Sequence, residues 1–103
     1  MESTRLQQLL SFLENSPGDA FINFAIAKEY EGLGDLDKSL ATYEALVKSQ
    51  PEYVGTYYHL GKLYEKLEKF AQAETTFTTG IAVAKAAGDK HAAGELQGAL
   101  DML

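Results

Sequence analysis

The sequence contains no cysteine, which excludes disulfides, thiolate nucleophiles and cysteine-held metal sites and leaves nothing that points to an oxidising compartment. Its cohesion must come from packing alone. Positive charge is also scarce: 9 basic residues stand against 15 acidic ones, for a formal net charge of −6. A field of that sign repels polyphosphate backbones and anionic lipid, so nucleic acid and membrane surfaces are poor partners, although acidity of this size also serves solubility on its own. No stretch approaches the roughly 18 consecutive apolar residues of a membrane span. The start, Met1-Glu2-Ser3-Thr4-Arg5-Leu6, lacks the charged-then-apolar pattern of an export signal, and a cytoplasmic location is the expectation.

What the chain does have is a composition close to that of ordinary globular proteins, with 46% hydrophobic and 23% charged residues over a length of 103. This is enough for one folded domain with a modest core. Within it lies an internal period. The two prolines, Pro17 and Pro51, stand 34 positions apart, and the same offset pairs Ile26 with Leu60, Ala27 with Gly61, Tyr30 with Tyr64, Leu33 with Leu67 and Tyr43 with Phe77.

A period of this length is the mark of a helical repeat. The second copy reads Tyr57, Leu60, Gly61 and Tyr64, then Ala73 and Phe77. The first reads Asn23, Ile26, Ala27 and Tyr30, then Ser39, Tyr43 and Pro51. Spacings of three and four residues place the first four of each set on one helix face. The small residue between larger ones, Ala27 or Gly61, lets a neighbouring helix come close. Glycine inside a helix costs about 1 kcal/mol relative to alanine, so Gly61 is expected to answer a packing need.

The pattern resembles the tetratricopeptide repeat family over residues 20–87, with Asn23 departing from the bulky residue usual at that place and Lys85 replacing the final proline of the second copy. The resemblance implies an all-α, right-handed superhelix of helical hairpins, here about six helices. The expected division is a single domain of residues 1–103, comprising a leading helix over 4–15, a first repeat over 20–50, a second over 54–87 and a capping helix over 90–102. Within the repeats the periodicity predicts helices at about 20–33, 36–49, 53–67 and 69–87. Gly34 suits a helix C-terminus, while Asp35 and Asp89 suit N-caps. Leu6, Leu9, Leu10 and Leu13 mark the inner face of the first helix, and Leu96, Ala99, Leu100 and Leu103 that of the last. Two repeats alone are marginal, and the flanking helices bring the array to the equivalent of three helical pairs. The segment from Gly80 to Lys85 followed by Gly88-Asp89-Lys90 is similar to small stand-alone bacterial repeat proteins, and the expectation is that the chain is a whole protein.

In that family the first helix of each pair lines a concave face. The residues so implicated are Phe24, Lys28 and Glu31 in the first repeat and Tyr58, Lys62 and Glu65 in the second, with His59 and Lys66 extending the second row. They suggest capture of another protein or a peptide, with an aromatic anchor beside a cation, and the lysines favour an acidic or C-terminal carboxylate-bearing ligand. The alternative for the same residues is internal packing of the rings and solvated Lys–Glu neighbours. The clamp by which some family members hold a chaperone's C-terminal carboxylate does not match, because Phe24 stands for a lysine and Lys28 and His59 stand for asparagines. Charge reversal at Lys28 and Lys62 together is expected to abolish capture.

Chemistry finds little support. His91 and Glu95, four apart, lack a third metal ligand at a recognisable spacing, and His59 belongs to no metal-binding pattern. Gly32-Leu33-Gly34 lacks the third glycine of a dinucleotide loop and follows no strand. No cofactor and no catalysis are expected. A binding module, monomeric by preference, is the first functional reading; a self-associating structural module forming a homodimer is the second.

Overall fold

The computed structural model describes residues 3–103. Residues 1 and 2, which the single-domain expectation takes in, lie outside the described residues. Six helices follow in order: α1 Thr4–Asn15, α2 Ala20–Gly32, α3 Leu36–Ser49, α4 Gly55–Lys66, α5 Phe70–Ala86 and α6 Lys90–Asp101. Among the described residues there is no strand, and the all-α class read from the period is the one observed. The helices fall into two compact units, the first holding α1–α3 and ending at Gln50, the second holding α4–α6 over Pro51–Leu103. No helix among the described residues is long and apolar enough to cross a membrane.

In the first unit α2 packs on both α1 and α3. Its buried side chains come from all three helices: Leu6, then Ala25, Ile26 and Ala27, then Ser39, Tyr43 and Leu46. Leu6 is the one leucine of the α1 inner face to be fully buried; Leu9, Leu10 and Leu13 are half-buried. Each helix start is capped by a side-chain oxygen that accepts a backbone N–H otherwise left unpaired. Ser3 accepts from Leu6, Asp19 from Ile22 and Asp35 from Lys38. The α2–α3 turn closes through the Asp35 N–H donating to the Tyr30 carbonyl at 2.9 Å, with Gly34 at a φ of +81°. That left-handed conformation is one glycine adopts without steric cost. Ser39 is wholly buried, and its hydroxyl donates to the Ala27 carbonyl at 2.8 Å, so no polar atom is stranded there.

In the second unit α5 packs on α4 and α6, and α4 also meets α6. Leu60 and Leu63 from α4, Phe77 from α5 and Leu96 from α6 are all buried. Burial of each such side chain contributes about 1.5–3 kcal/mol. Two glycines set how closely the helices approach. A Cβ on Gly61 would lie 2.3 Å from Cε1 of Phe77, and one on Gly80 would lie 2.5 Å from Cβ of Tyr57. The packing need expected for Gly61 is therefore the buried Phe77 ring. The α4–α5 turn repeats the backbone geometry of the α2–α3 turn, with the Lys69 N–H donating to the Tyr64 carbonyl at 2.8 Å. Here, however, Glu68 occupies the left-handed position at a φ of +59°, and α5 has no side-chain cap. The α5–α6 turn reverts to Gly88, at a φ of +74°, followed by Asp89, which caps Ala92. Leu96 and Ala99 are buried as the α6 pattern requires, but the helix ends at Asp101 and Leu103 lies exposed beyond it.

Asn23, the residue that departs from the repeat pattern, keeps one role of its counterpart Tyr57. Its Nδ2 donates to the Pro17 carbonyl at 3.2 Å and to the Asp19 carbonyl at 2.9 Å, while the Tyr57 hydroxyl donates to the Pro51 carbonyl. Volume is made up across the helix pair: Tyr57 faces Gly80, whereas Leu46 stands where the period places Gly80 and lines the same depression as Asn23.

Candidate partner-binding surface

The side chains singled out from the sequence lie on α2 and α4, the first helices of the two repeats. On α2, Phe24 is half-buried with its ring 6.2 Å from that of Tyr43, centroid to centroid. Lys28 is exposed, and its ammonium sits over the Phe24 ring at 5.8 Å, within cation–π range. Glu31 is half-buried and accepts a hydrogen bond from the Tyr43 hydroxyl at 3.3 Å. Burial, and then the Glu31 carboxylate beside it, push the Tyr43 hydroxyl well above the ordinary tyrosine range. Phe24 and Lys28 are thus brought together, and Glu31 turns to α3.

A cleft of ≈ 350 Å³ opens beside them, lined by Arg5 of α1 and by Phe21, Phe24, Ala25, Lys28 and Glu29 of α2. Phe21, at 65% exposed, supplies an apolar wall open to solvent. Arg5 Nε pairs with Glu29 Oε1 at 3.1 Å, and the Ser3 hydroxyl donates to the other oxygen of that carboxylate at 3.4 Å. Sequence reasoning missed Phe21, Arg5 and Glu29. Phe21 carried a signal, since it lies three residues before Phe24 on the same helix face, but Arg5 comes from a helix outside both repeats.

On α4, Tyr58 is half-buried, its ring 5.5 Å from His59 in an edge-on arrangement and 6.5 Å from Phe77. Lys62 pairs with Glu65 at 3.1 Å, three residues along the helix. The Glu65 oxygen involved is shut off from water, and the contact is an ion pair without hydrogen-bond alignment. Lys66 is exposed in the last turn of the helix, where a cation meets the negative end of the helix dipole. His91 and Glu95 form an exposed pair at 3.6 Å on α6, and among the described residues no group of three or more His, Asp or Glu side chains is placed to hold a metal ion.

The tetratricopeptide repeat model matches residues 22–53 and again 54–87. The chain belongs to the tetratricopeptide repeat family. It is 26% identical over 91 residues to a TPR repeat-containing protein of Pseudomonas aeruginosa, a match covering 88% of this chain and 87% of the other. It is also similar to the crystal structure of a tetratricopeptide repeat domain protein from Salinibacter ruber, at 44% identity and a TM-score of 0.77, covering 80% of this chain and 91% of that one. The fold is shared further with PcrH, solved in complex with the chaperone binding region of PopB, at 18% identity and a TM-score of 0.74, covering 97% and 98%. Tetratricopeptide repeats form an all-α scaffold for protein interaction, and this chain has that architecture.

Proposed function

We propose that this tetratricopeptide repeat chain is a non-catalytic adaptor that captures a segment of another protein through the exposed faces of α2 and α4, its two units working as one domain. The partner-binding residues are Phe24, Lys28 and Glu31 on one helix and Tyr58, His59, Lys62, Glu65 and Lys66 on the other. The observation that carries this reading is the α1–α2 cleft, where the exposed Phe21 and the half-buried Phe24 stand beside an exposed lysine in a chain of net charge −6. An apolar side chain gains by entering such a cleft, and a nearby acidic group gains from the lysine. That a chain of this fold can hold a protein segment is illustrated by PcrH with PopB. The ligand is accordingly an acidic or carboxylate-bearing peptide segment, and the location is the cytoplasm.

The double reversal Lys28→Glu with Lys62→Glu tests the reading. Both side chains are exposed, so the melting temperature is expected to stay unchanged while partner capture is lost. Capture that persists in the double variant removes these lysines from the site. The second reading, self-association, is favoured by the exposure of Phe70 at 52% and Met102 at 79%, large apolar surfaces in the second unit. Sedimentation across concentration separates the two: a strict monomer eliminates self-association, and a tight dimer that captures nothing eliminates the adaptor.

A further inference from the structure

Lys28 and Lys62 occupy the same place in the period, as do Glu31 and Glu65, yet the two lysines differ in state. Lys62 is neutralised by Glu65 at 3.1 Å. Lys28 makes no ion pair among the described residues, although Glu29 adjoins it and Glu31 lies three residues on, because both carboxylates are engaged elsewhere. Glu29 is held by Arg5 and the Ser3 hydroxyl, and Glu31 by the hydroxyl of Tyr43. The counterpart of Tyr43 in the second unit is Phe77, which has no hydroxyl to offer Glu65.

We propose that the Tyr43 hydroxyl, by drawing Glu31 onto α3, keeps Lys28 available for the acidic side chain of a partner segment whose neighbouring apolar side chain enters the cleft against Phe21 and Phe24. The first unit is then the anion-reading unit of the molecule, and the second is silenced by its own ion pair. This rests on the adaptor reading and adds to it which unit reads charge and what sets it. Charge complementarity names the occupant. Around the cleft the Arg5–Glu29 pair cancels, leaving Lys28 as the one uncompensated charge in the lining. A chain terminus calls for a set of donors around its two oxygens. A single ammonium acts as a point charge and suits a carboxylate side chain on a segment that continues past it. Tyr43 is a positioning residue here: it is wholly buried, its ring packs against that of Phe24, and its hydroxyl reaches the charge of the site through Glu31.

The test uses the full chain labelled for amide NMR and three small probes: acetyl-Leu-Glu-Leu-amide, acetyl-Leu-Gln-Leu-amide, and acetyl-Leu-Gln-Leu with a free C-terminal carboxylate. Saturable shifts are expected around Phe21, Phe24 and Lys28, with the glutamate probe bound about threefold more tightly than the glutamine probe, as a partly solvated ion pair allows. Tyr43→Phe gives this unit the aromatic of its sister and is expected to abolish that preference, whereas Glu31→Gln, which removes the competing charge, retains it. Phe77→Tyr is expected to create a glutamate preference at Lys62. The proposal is overturned by equal affinity for the first two probes, by a preference that survives Tyr43→Phe, by tighter binding of the free terminus, or by no shift with any probe. If partner capture still depends on Lys28 and Lys62 in any of those cases, the adaptor reading stands and only the charge-reading mechanism is lost.

Discussion

The two units answer the same structural problems with different residues, and the turn between their repeat helices shows this most directly. In the first unit Gly34 takes the left-handed position and Asp35 caps α3; in the second Glu68 and Lys69 take the same places, with φ at +59° and no side-chain cap. The backbone hydrogen bond that closes the turn is nevertheless the same in both. The helix pairs show a second exchange, Asn23 with Leu46 in one unit and Tyr57 with Gly80 in the other, in which a large residue on one helix faces a small one on its neighbour. What recurs at the 34-residue offset is therefore the sum of two facing side chains and the path of the backbone, and individual residues are free to differ.

The two units differ most in tolerance at Gly61. Its counterpart is Ala27, but a methyl group at 61 would lie 2.3 Å from the fully buried Phe77 ring. Gly61→Ala is expected to destabilise by about 2 kcal/mol through overpacking, despite alanine's better helix propensity, and Ala27→Gly by about 1 kcal/mol. Equal losses in chemical denaturation would show that the units pack alike here. Thr56 sharpens the contrast in the other direction. Its hydroxyl is wholly buried with no hydrogen-bond partner among the described residues, and its counterpart in the first unit is the apolar Ile22. Thr56→Val keeps the shape and removes the stranded group, and a gain of about 1 kcal/mol is expected. A clear loss in thermal unfolding would mean that the hydroxyl has a partner in solution.

A smaller gain belongs to the strained turn. Glu68→Gly gives the second unit the turn residue of the first and is expected to raise stability by about 0.5–1 kcal/mol, whereas Gly34→Glu should lower that of the first. Reversed signs in a denaturation series would show that Glu68 is held by something other than the turn.

The smallest effect is electrostatic. Burial and Glu31 raise the Tyr43 hydroxyl above its ordinary value, and burial with Glu52 raises that of Tyr57. A folded state that binds these protons more tightly than the unfolded chain keeps its full stability below about pH 10 and loses it progressively above. Tyr43→Phe should flatten that alkaline decline in part, with Tyr57 accounting for what remains. An unaltered decline would remove Tyr43 from it.

Much of the fold was legible because the apolar spacing and the caps spoke together. Gly34 with Asp35, and Gly88 with Asp89, both announce a helix end followed by a start, and the structure has both turns there. Glu68 and Lys69 announce nothing, since neither favours a turn or a cap, and α5 begins at Phe70, one residue later than the spacing predicts, whereas α3 and α6 begin where Asp35 and Asp89 place them. The surface residues were legible as positions on α2 and α4 but not as states. Lys28 with Glu31 and Lys62 with Glu65 look identical along the chain. What separates them is one oxygen atom on α3, and Tyr43 and Phe77 count as the same residue in any pattern of large apolar side chains.

The order in which the helices meet bears on how quickly the molecule assembles. In each unit the extensively packed partners are chain neighbours, α1 with α2 and α2 with α3, then α4 with α5 and α5 with α6, while α4 with α6 skips an element. Little loop entropy must be lost before favourable contacts form, and helical topologies of this kind reach the native state in microseconds to milliseconds. An unfolded chain would thus hide its apolar stripes early, through contacts between helices that adjoin in sequence.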